Sequence, residues 1–229
     1  MKAKIIEVFK SIQGEGKYAG VSQVFGRFFE CNMHCVWCDT PHSIGDGVRR
    51  YIEMDVDELF EEIKKLYPGC HSVSLTGGEP LLQVEFLKLL IQKMKTAGIK
   101  TYLETNGTLP DALAKVIEDV DIVAMDIKLP SSTQCEDFWS EHKAFIETAR
   151  DKNIFIKTVI SSETTKDDVL RSIDLVAAID PEIIYILQPN SLQIKNGVVK
   201  KCEDFQQQCL QKLKDVRVMP QIHRFLRLR

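Results

Sequence analysis

The sequence predicts an α/β fold, a partial and therefore incomplete TIM-type barrel of about six parallel strands. β-rich runs alternate with helix-period runs along nearly the whole chain, the pattern of βα units around a parallel sheet. The full helices are fewer than a closed eight-fold barrel requires. Polar motifs follow the strands, at the end where such folds place their chemistry. A length of 229 residues with 44% hydrophobic content suits one domain, 1–229, with a sizeable core.

The N-terminus after Met1-Lys2-Ala3-Lys4 reads as an alternating strand, and a second strand runs near Val21 to Phe29 into a cysteine-rich loop. Asp55-Val56-Asp57-Glu58 is a capping box opening a helix through Leu66, with Leu59, Ile63 and Leu66 on one face. Ser72 to Thr76 is a strand, and a helix from about Leu82 to Ala97 stops at Gly98 before the strand Ile99 to Glu104. A short helix around Asp111 to Ile117 precedes the strand Asp121 to Ile127. Helix Phe138 to Arg150 leads to strand Ile154 to Ile160, and helix Lys166 to Ala178 to strand Ile183 to Leu187. A last helix near Glu203 to Leu213 precedes Val216 to Met219.

Net charge is −3 and the Lys and Arg residues are scattered, so no basic face argues for a nucleic-acid or membrane partner. The tail His223-Arg224-Phe225-Leu226-Arg227-Leu228-Arg229 is basic but too short to alter that balance. No apolar run could span a bilayer and no signal region opens the chain, so a cytoplasmic protein is expected. Seven cysteines, an odd number, in a reducing compartment point to metal or redox use rather than a disulfide framework. Cys70, Cys135, Cys202 and Cys209 stand singly and read as simple thiols.

The other three cysteines carry the strongest signal. Cys31-Asn32-Met33-His34-Cys35-Val36-Trp37-Cys38 spaces three thiolates to hold an iron–sulfur cluster with one iron left without a protein ligand. A structural zinc site closes its tetrahedron with a fourth Cys or His. His34 is the only nearby candidate, and its place between Cys31 and Cys35 makes that reach awkward, so the open cluster is favoured over zinc. Beyond the cysteines, Thr76-Gly77-Gly78-Glu79-Pro80, Glu104-Thr105-Asn106-Gly107, Asp126-Ile127-Lys128 and Gln188-Pro189-Asn190 each follow a strand, so five strand ends aim polar groups at one mouth.

CxxxCxxC with Trp37 before its last Cys, followed by Thr-Gly-Gly-Glu-Pro, resembles the radical S-adenosylmethionine (SAM) superfamily. The resemblance implies a 4Fe–4S cluster on Cys31, Cys35 and Cys38, whose open iron is chelated by SAM. Reductive cleavage of SAM then supplies a 5′-deoxyadenosyl radical that takes hydrogen from substrate. A second layer is more specific: Phe9 to Gly16 (Phe-Lys-Ser-Ile-Gln-Gly-Glu-Gly), Arg27, Cys38-Asp39-Thr40, Leu129-Pro130-Ser131-Ser132 and Met219-Pro220-Gln221-Ile222-His223 resemble the 7-carboxy-7-deazaguanine synthases of the queuosine and 7-deazapurine pathway. Those lyases convert 6-carboxy-5,6,7,8-tetrahydropterin to 7-carboxy-7-deazaguanine, contracting a ring and losing ammonia with magnesium assistance.

By that resemblance, Ile12, Gln13, Gly14 and Glu15 read the guanidine-like edge of the pterin, where a carboxylate accepts two parallel hydrogen bonds. Arg27, a charge inside the apolar run Val24 to Phe29, grips the substrate carboxylate. Thr40 is the magnesium ligand and Thr76 touches substrate, while Gln221 or His223 either completes the substrate site or serves in packing. Trp37, Cys38, Asp39, Gly78, Glu104, Asn106, Lys128, Ser131 and Gln188 fall on the SAM side. No side chain is assigned as acid or base. A flavodoxin or ferredoxin is implied as electron donor, and a homodimer as the assembly. Some relatives place a C-terminal carboxylate in the substrate site; this chain runs past Pro220 to Arg229, so that role is not carried over. Two alternatives stay open: a glycyl-radical-enzyme activating enzyme, which lacks the Ser-Ile-Gln-Gly-Glu-Gly block, and a non-enzymatic iron–sulfur or zinc protein.

Overall fold

The structure is a computed structural model that describes residues 1–45 and 50–228. Arg229, where the sequence reading placed the end of the basic tail, lies outside the described residues. The elements run β1 (Lys2–Ile12), β2 (Ser22–Phe28), β3 (Ile52–Asp55), α1 (Val56–Leu66), β4 (Ser72–Gly77), α2 (Val84–Thr96), β5 (Thr101–Thr105), α3 (Pro110–Ala114), β6 (Ile122–Asp126), α4 (Pro130–Thr133), α5 (Trp139–Ala149), β7 (Asn153–Ile160), α6 (Lys166–Ile179), β8 (Tyr185–Pro189), α7 (Val198–Cys209), β9 (Val216–Val218) and α8 (Ile222–Leu226).

One sheet of order β3-β1-β2-β4-β5-β6-β7-β8-β9 contains every strand. From β2 to β9 each neighbour is parallel, which makes seven parallel strands where the sequence suggested about six. β1 and β3 extend the sheet as an antiparallel arm. The edges β3 and β9 do not meet, so the barrel is incomplete, as expected.

Strand periodicity divides the sheet into two faces. Leu103, Val123, Met125, Ile154, Ile156, Tyr185 and Leu187 point outward into the main core under the helices. Phe25, Arg27, Tyr102, Glu104, Asp126, Phe155, Lys157 and Gln188 point inward and line the cavity. Tyr102, Ile122, Phe155 and Ile186 form a small apolar plug inside the barrel. The polar residues above it therefore face a confined space, where each charge needs a partner.

The helices follow their sequence signals. Asp55 accepts from the backbone of Asp57 and Glu58, and Glu58 accepts in return from the Asp55 backbone, which realises the capping box at the start of α1. Leu59, Phe60 and Ile63 fill the face toward the sheet. Thr165 caps α6 by accepting from the Asp168 N–H at 3.3 Å. Four elements differ from expectation, the first being α4, a single turn at Pro130–Thr133 where no helix was expected. β3, a four-residue edge strand, is not among the expected strands, and of its residues only Asp55 was singled out, as the cap of α1. α7 begins at Val198, earlier than the expected Glu203, after Gly197 turns the chain in a left-handed conformation and without any side-chain cap. α8 falls in the tail, where the sequence showed no helix.

Candidate active site

A cavity of about 630 Å³ opens at the C-terminal ends of the parallel strands. It is lined by Cys31, Cys35 and Cys38 on one wall and by the turn after β1 with Arg27 on another. The cluster loop rests on two supports. Trp37 donates its indole N–H to the carbonyl of Ser132 at 2.7 Å, and the Val36 N–H reaches the Thr133 carbonyl, so α4 carries one side. Asn32 donates to Thr108 Oγ1 at 2.8 Å and accepts from Asn106 Nδ2 at 2.9 Å, so the turn after β5 carries the other.

The thiols fit an iron–sulfur cluster better than a single metal ion. A tetrahedral zinc with bonds of about 2.3 Å would draw its sulfurs to roughly 3.8 Å from one another. Among the described residues, the one group whose ligand atoms all lie within 4.8 Å is Glu15, Asp39 and His223, so the three sulfurs are spread more widely. His34 is exposed and does not line the cavity, and no fourth ligand among the described residues closes the set. Burial raises the Cys31 thiol and pushes Cys35 up to about 12, while the Lys128 ammonium opposes both shifts. Bound iron would supply the positive charge that buried thiolates need. Cys31 Sγ also accepts from the Met33 N–H at 3.4 Å.

Gly78, expected on the SAM side, lines the cavity together with Gly77. Both also pack tightly against backbone: a Cβ on Gly78 would lie 2.0 Å from the Glu30 carbonyl oxygen, and one on Gly77 2.2 Å from that of Phe28. The glycines thus let the β4 turn nest against the end of β2 and hold the cluster loop's base. Glu79 then turns inward, fully buried, and accepts from the Asn106 N–H at 2.8 Å, the Leu81 N–H at 3.1 Å and Thr105 Oγ1 at 3.0 Å. Burial raises its carboxyl to about 7 despite these donors. It ties the turn after β4 to the turn after β5. His142, buried on α5, supports the same turn by donating from Nε2 to the Asn106 carbonyl at 3.1 Å.

The remaining expected SAM-side residues divide into those that face the cavity and one that does not. Glu104 is pinned by Gln13 Nε2 and Ser74 Oγ, each at 2.8 Å, and by Thr76 Oγ1 at 2.9 Å. Asn106 directs its amide toward Asn32 and, at 3.9 Å, toward Cys31 Sγ. Lys128 lies 4.8 Å from the Trp37 ring and donates to Asp126 Oδ2 at 2.9 Å. Gln188 is buried in the wall and its Oε1 has no protein donor among the described residues. Ser131 is absent from the cavity lining: its N–H bonds Asp168 and its hydroxyl accepts from the Thr165 N–H at 2.9 Å, so it joins α4 to the cap of α6. Its neighbour Ser132 holds Trp37.

On the opposite wall, Arg27 stands across from Glu7 of β1 and donates Nε to it at 2.9 Å, with its guanidinium over the Phe9 ring. Its other N–H groups have no protein acceptor among the described residues and face the cavity. Thr40 lines the same space 3.9 Å from Cys38 Sγ, its hydroxyl accepting from Ser43 at 3.3 Å. Ile12 ends β1 at the wall. Gln13 lines the cavity, but its amide is consumed by Gln23, Glu104 and the Glu15 N–H, which makes its side chain a brace.

Glu15 is the buried acceptor of this wall. Lys157 bonds one carboxylate oxygen and Gln221 Nε2 the other at 2.5 Å. Burial would raise its pKa, but the Lys157 ammonium and these hydrogen bonds hold it at about 2. The tail closes over it: Ile222 N–H bonds the Gly14 carbonyl, and His223 packs so closely that a Cβ on Gly14 would meet its ring at 2.0 Å. Gln221 also donates to Asp39 Oδ2 at 2.9 Å, with Arg224 3.9 Å from the same oxygen. Lys157 and Gln221 already bond the Glu15 carboxylate, and Gln221 bridges Glu15 to Asp39 with His223 close beside them, so tail, turn and cluster loop meet at one junction.

Sequence reasoning missed Lys157. A lone Lys inside Ile154-Phe155-Ile156-Lys157-Thr158-Val159-Ile160 is the same signal that singled out Arg27. It missed Asp126 as a site residue as well, although the strand end that carries it was noted.

Comparison with known proteins agrees with this geometry. The family model described as the radical SAM superfamily matches residues 28–179. A 7-carboxy-7-deazaguanine synthase of Geobacter sulfurreducens is 38% identical, over 98% of this chain and 97% of its own length. The synthase of Archaeoglobus fulgidus is 34% identical over the whole of both chains, and that of Methanopyrus kandleri 33% identical over 97% of this chain and 92% of its own. Among solved structures, QueE from Escherichia coli superposes with a TM-score of 0.65 at 20% identity, covering 96% of this chain and 94% of that one. TYW1 with a lysine–pyruvate adduct gives 0.62 at 15% identity, covering 83% and 74%. At those identities the two structures support the fold alone. Identity of 33–38% to three synthases over nearly the whole of each chain, with the family model over residues 28–179, shows that this protein belongs to the radical SAM superfamily and, within it, to the 7-carboxy-7-deazaguanine synthases.

Proposed function

We propose that this chain, acting as the single domain 1–229, converts 6-carboxy-5,6,7,8-tetrahydropterin to 7-carboxy-7-deazaguanine with ring contraction and loss of ammonia. The observation that carries this reading is the cavity that sets the cluster cysteines opposite a buried carboxylate and a half-free guanidinium. When bound, the cluster and SAM supply one-electron reduction and hydrogen abstraction, chemistry that no side chain provides.

The chain's own residues bind, orient and insulate. Glu15, ionised, has about four lone-pair sites. Two are used by Lys157 and Gln221, which leaves acceptor capacity for the 2-amino and ring N–H edge of the pterin. The free N–H groups of Arg27 suit the substrate carboxylate at the other end. Thr40 lies where a magnesium ion could join its hydroxyl, the substrate carboxylate and waters in an oxygen shell. Lys128, Asn106, Glu104 and Gln188 face the region beside Cys31 and Trp37, where SAM would lie. The tail from Gln221 to Leu228 covers the mouth and limits water.

A reductant must feed the cluster, and a flavodoxin or ferredoxin has the size and potential for it. A homodimer in the cytoplasm completes the proposal; no helix among the described residues is long and apolar enough to cross a membrane. Nothing observed favours the activating-enzyme alternative, since the N-terminal Gln13–Glu15 block that such enzymes lack is built into the cavity wall. The test is SAM cleavage by the reconstituted enzyme with and without candidate substrates. The tetrahydropterin should stimulate it and a glycine-containing peptide should not; the reverse would favour the alternative.

A further inference from the structure

We propose that Lys157 is a positioning residue for the substrate edge: it holds Glu15 ionised and aimed so that the carboxylate selects a ligand edge made only of hydrogen-bond donors. The inference rests on the reading that Glu15 meets the pterin's donor edge.

Lys157 points inward from β7, paired in register with Asp126 of β6. Its ammonium bonds Glu15 and lies 3.3 Å from Asp126 Oδ2, which also accepts from Lys128 at 2.9 Å. The result is a row of alternating charge, Glu15, Lys157, Asp126, Lys128, running from the substrate wall to the Trp37 ring. All four side chains are mostly buried, with exposures of 9–19%. A carboxylate at such depth takes up a proton unless a cation compensates it.

The groups facing Glu15 make Lys157 the compensating one. Gln221, next to α8, donates a neutral hydrogen bond. Asp39 of the cluster loop and Glu104 of β5 are carboxyl groups and supply no compensating cation, and Tyr102 of β5 is a buried neutral phenol. His223 of α8 is nearby, and its favourable field is smaller than that of Lys157. Protonated, Glu15 would present a donor to the pterin's own donors and repel the edge it should bind.

The experiment compares the reconstituted wild type with Lys157→Met, Lys157→Arg, Glu15→Gln and the Lys157→Met/Glu15→Gln double variant. It measures apparent KM for the tetrahydropterin, SAM affinity, and kcat/KM against pH between 5.5 and 8.5. Lys157→Met should raise the pterin KM by about tenfold or more, with SAM affinity changed less than twofold. Its kcat/KM should climb with pH as Glu15 becomes ionised, where the wild type is flat with respect to this group. Lys157→Arg should restore most of the loss, and the double variant should be no worse than Glu15→Gln alone. If Glu15→Gln is impaired but Lys157→Met keeps the wild-type KM and a flat profile, or if the two losses multiply, the role of Lys157 is overturned. If Glu15→Gln itself binds the pterin normally, the donor-edge reading falls, and the proposal with it. Should Lys157→Met fold poorly, Lys157→Arg and the double variant, which removes the uncompensated carboxylate, still decide between these outcomes.

Discussion

Replacing Arg27 with Ala tests how this cavity recognises its substrate. The guanidinium keeps one N–H on Glu7 and faces the cavity with the rest, from a side chain only 16% exposed. A hydrogen bond to a charged group in such a site contributes about 1.5–3 kcal/mol, which is roughly 10- to 150-fold in binding. A two-pronged grip on a carboxylate belongs at the upper end of that range. Arg27→Ala should therefore raise the pterin KM by roughly two orders of magnitude, while SAM affinity, set on the opposite wall, moves little. Titrating each enzyme with the 6-carboxy substrate and with its 6-carboxamide analogue isolates the contact. Wild type should discriminate strongly between them, and Arg27→Ala should barely do so. Equal discrimination by both enzymes, or equal losses for pterin and SAM, would refute the carboxylate grip.

Single Ala replacements of Cys31, Cys35 or Cys38 should each abolish the reconstituted cluster's visible absorbance and SAM cleavage together; cleavage retained by any one of them would sink the cluster assignment. Gly78→Ala pushes a Cβ to 2.0 Å from the Glu30 carbonyl, a backbone atom that cannot rotate away. We expect a loss on the order of 2–3 kcal/mol and a melting point lower by roughly 5–10 °C, and an unchanged melting curve would show that the turn can yield. Glu79 has its folded pKa raised by burial from 4.5 to about 7, so the stability it contributes is complete below the unfolded pKa and is lost as pH rises through the folded one. The loss is on the order of 3 kcal/mol in the wild type between those pH values, and Glu79→Gln should flatten that part of the stability curve; parallel curves for the two proteins would argue against the shift.

Much of this was legible because local signals and tertiary needs agree. The capping box at Asp55 and Glu58, the stop at Gly98 and the apolar periods of β4 to β8 all fix elements that the structure contains. The cysteine spacing and the five polar strand ends located the cavity, since a parallel barrel brings such ends together. What stayed hidden depends on contacts distant in sequence. β3 is four residues long and gains its pairing only from β1. α8 is a helix of five residues held by Gly14, more than two hundred residues away in the chain. Gln13 and Ser131 look like ligand groups in sequence, yet the fold spends them on Glu104 and on the cap of α6. Lys157 could have been found: the argument that a charge inside an apolar strand needs a partner, made for Arg27, applies to it without change.

The most direct measurement is anaerobic turnover of the reconstituted protein with SAM, magnesium, a reductant and 6-carboxy-5,6,7,8-tetrahydropterin, followed by mass spectrometry. The account predicts 7-carboxy-7-deazaguanine together with one ammonia for each product. Cleavage of SAM without that product, from enzyme carrying a full cluster, would contradict it.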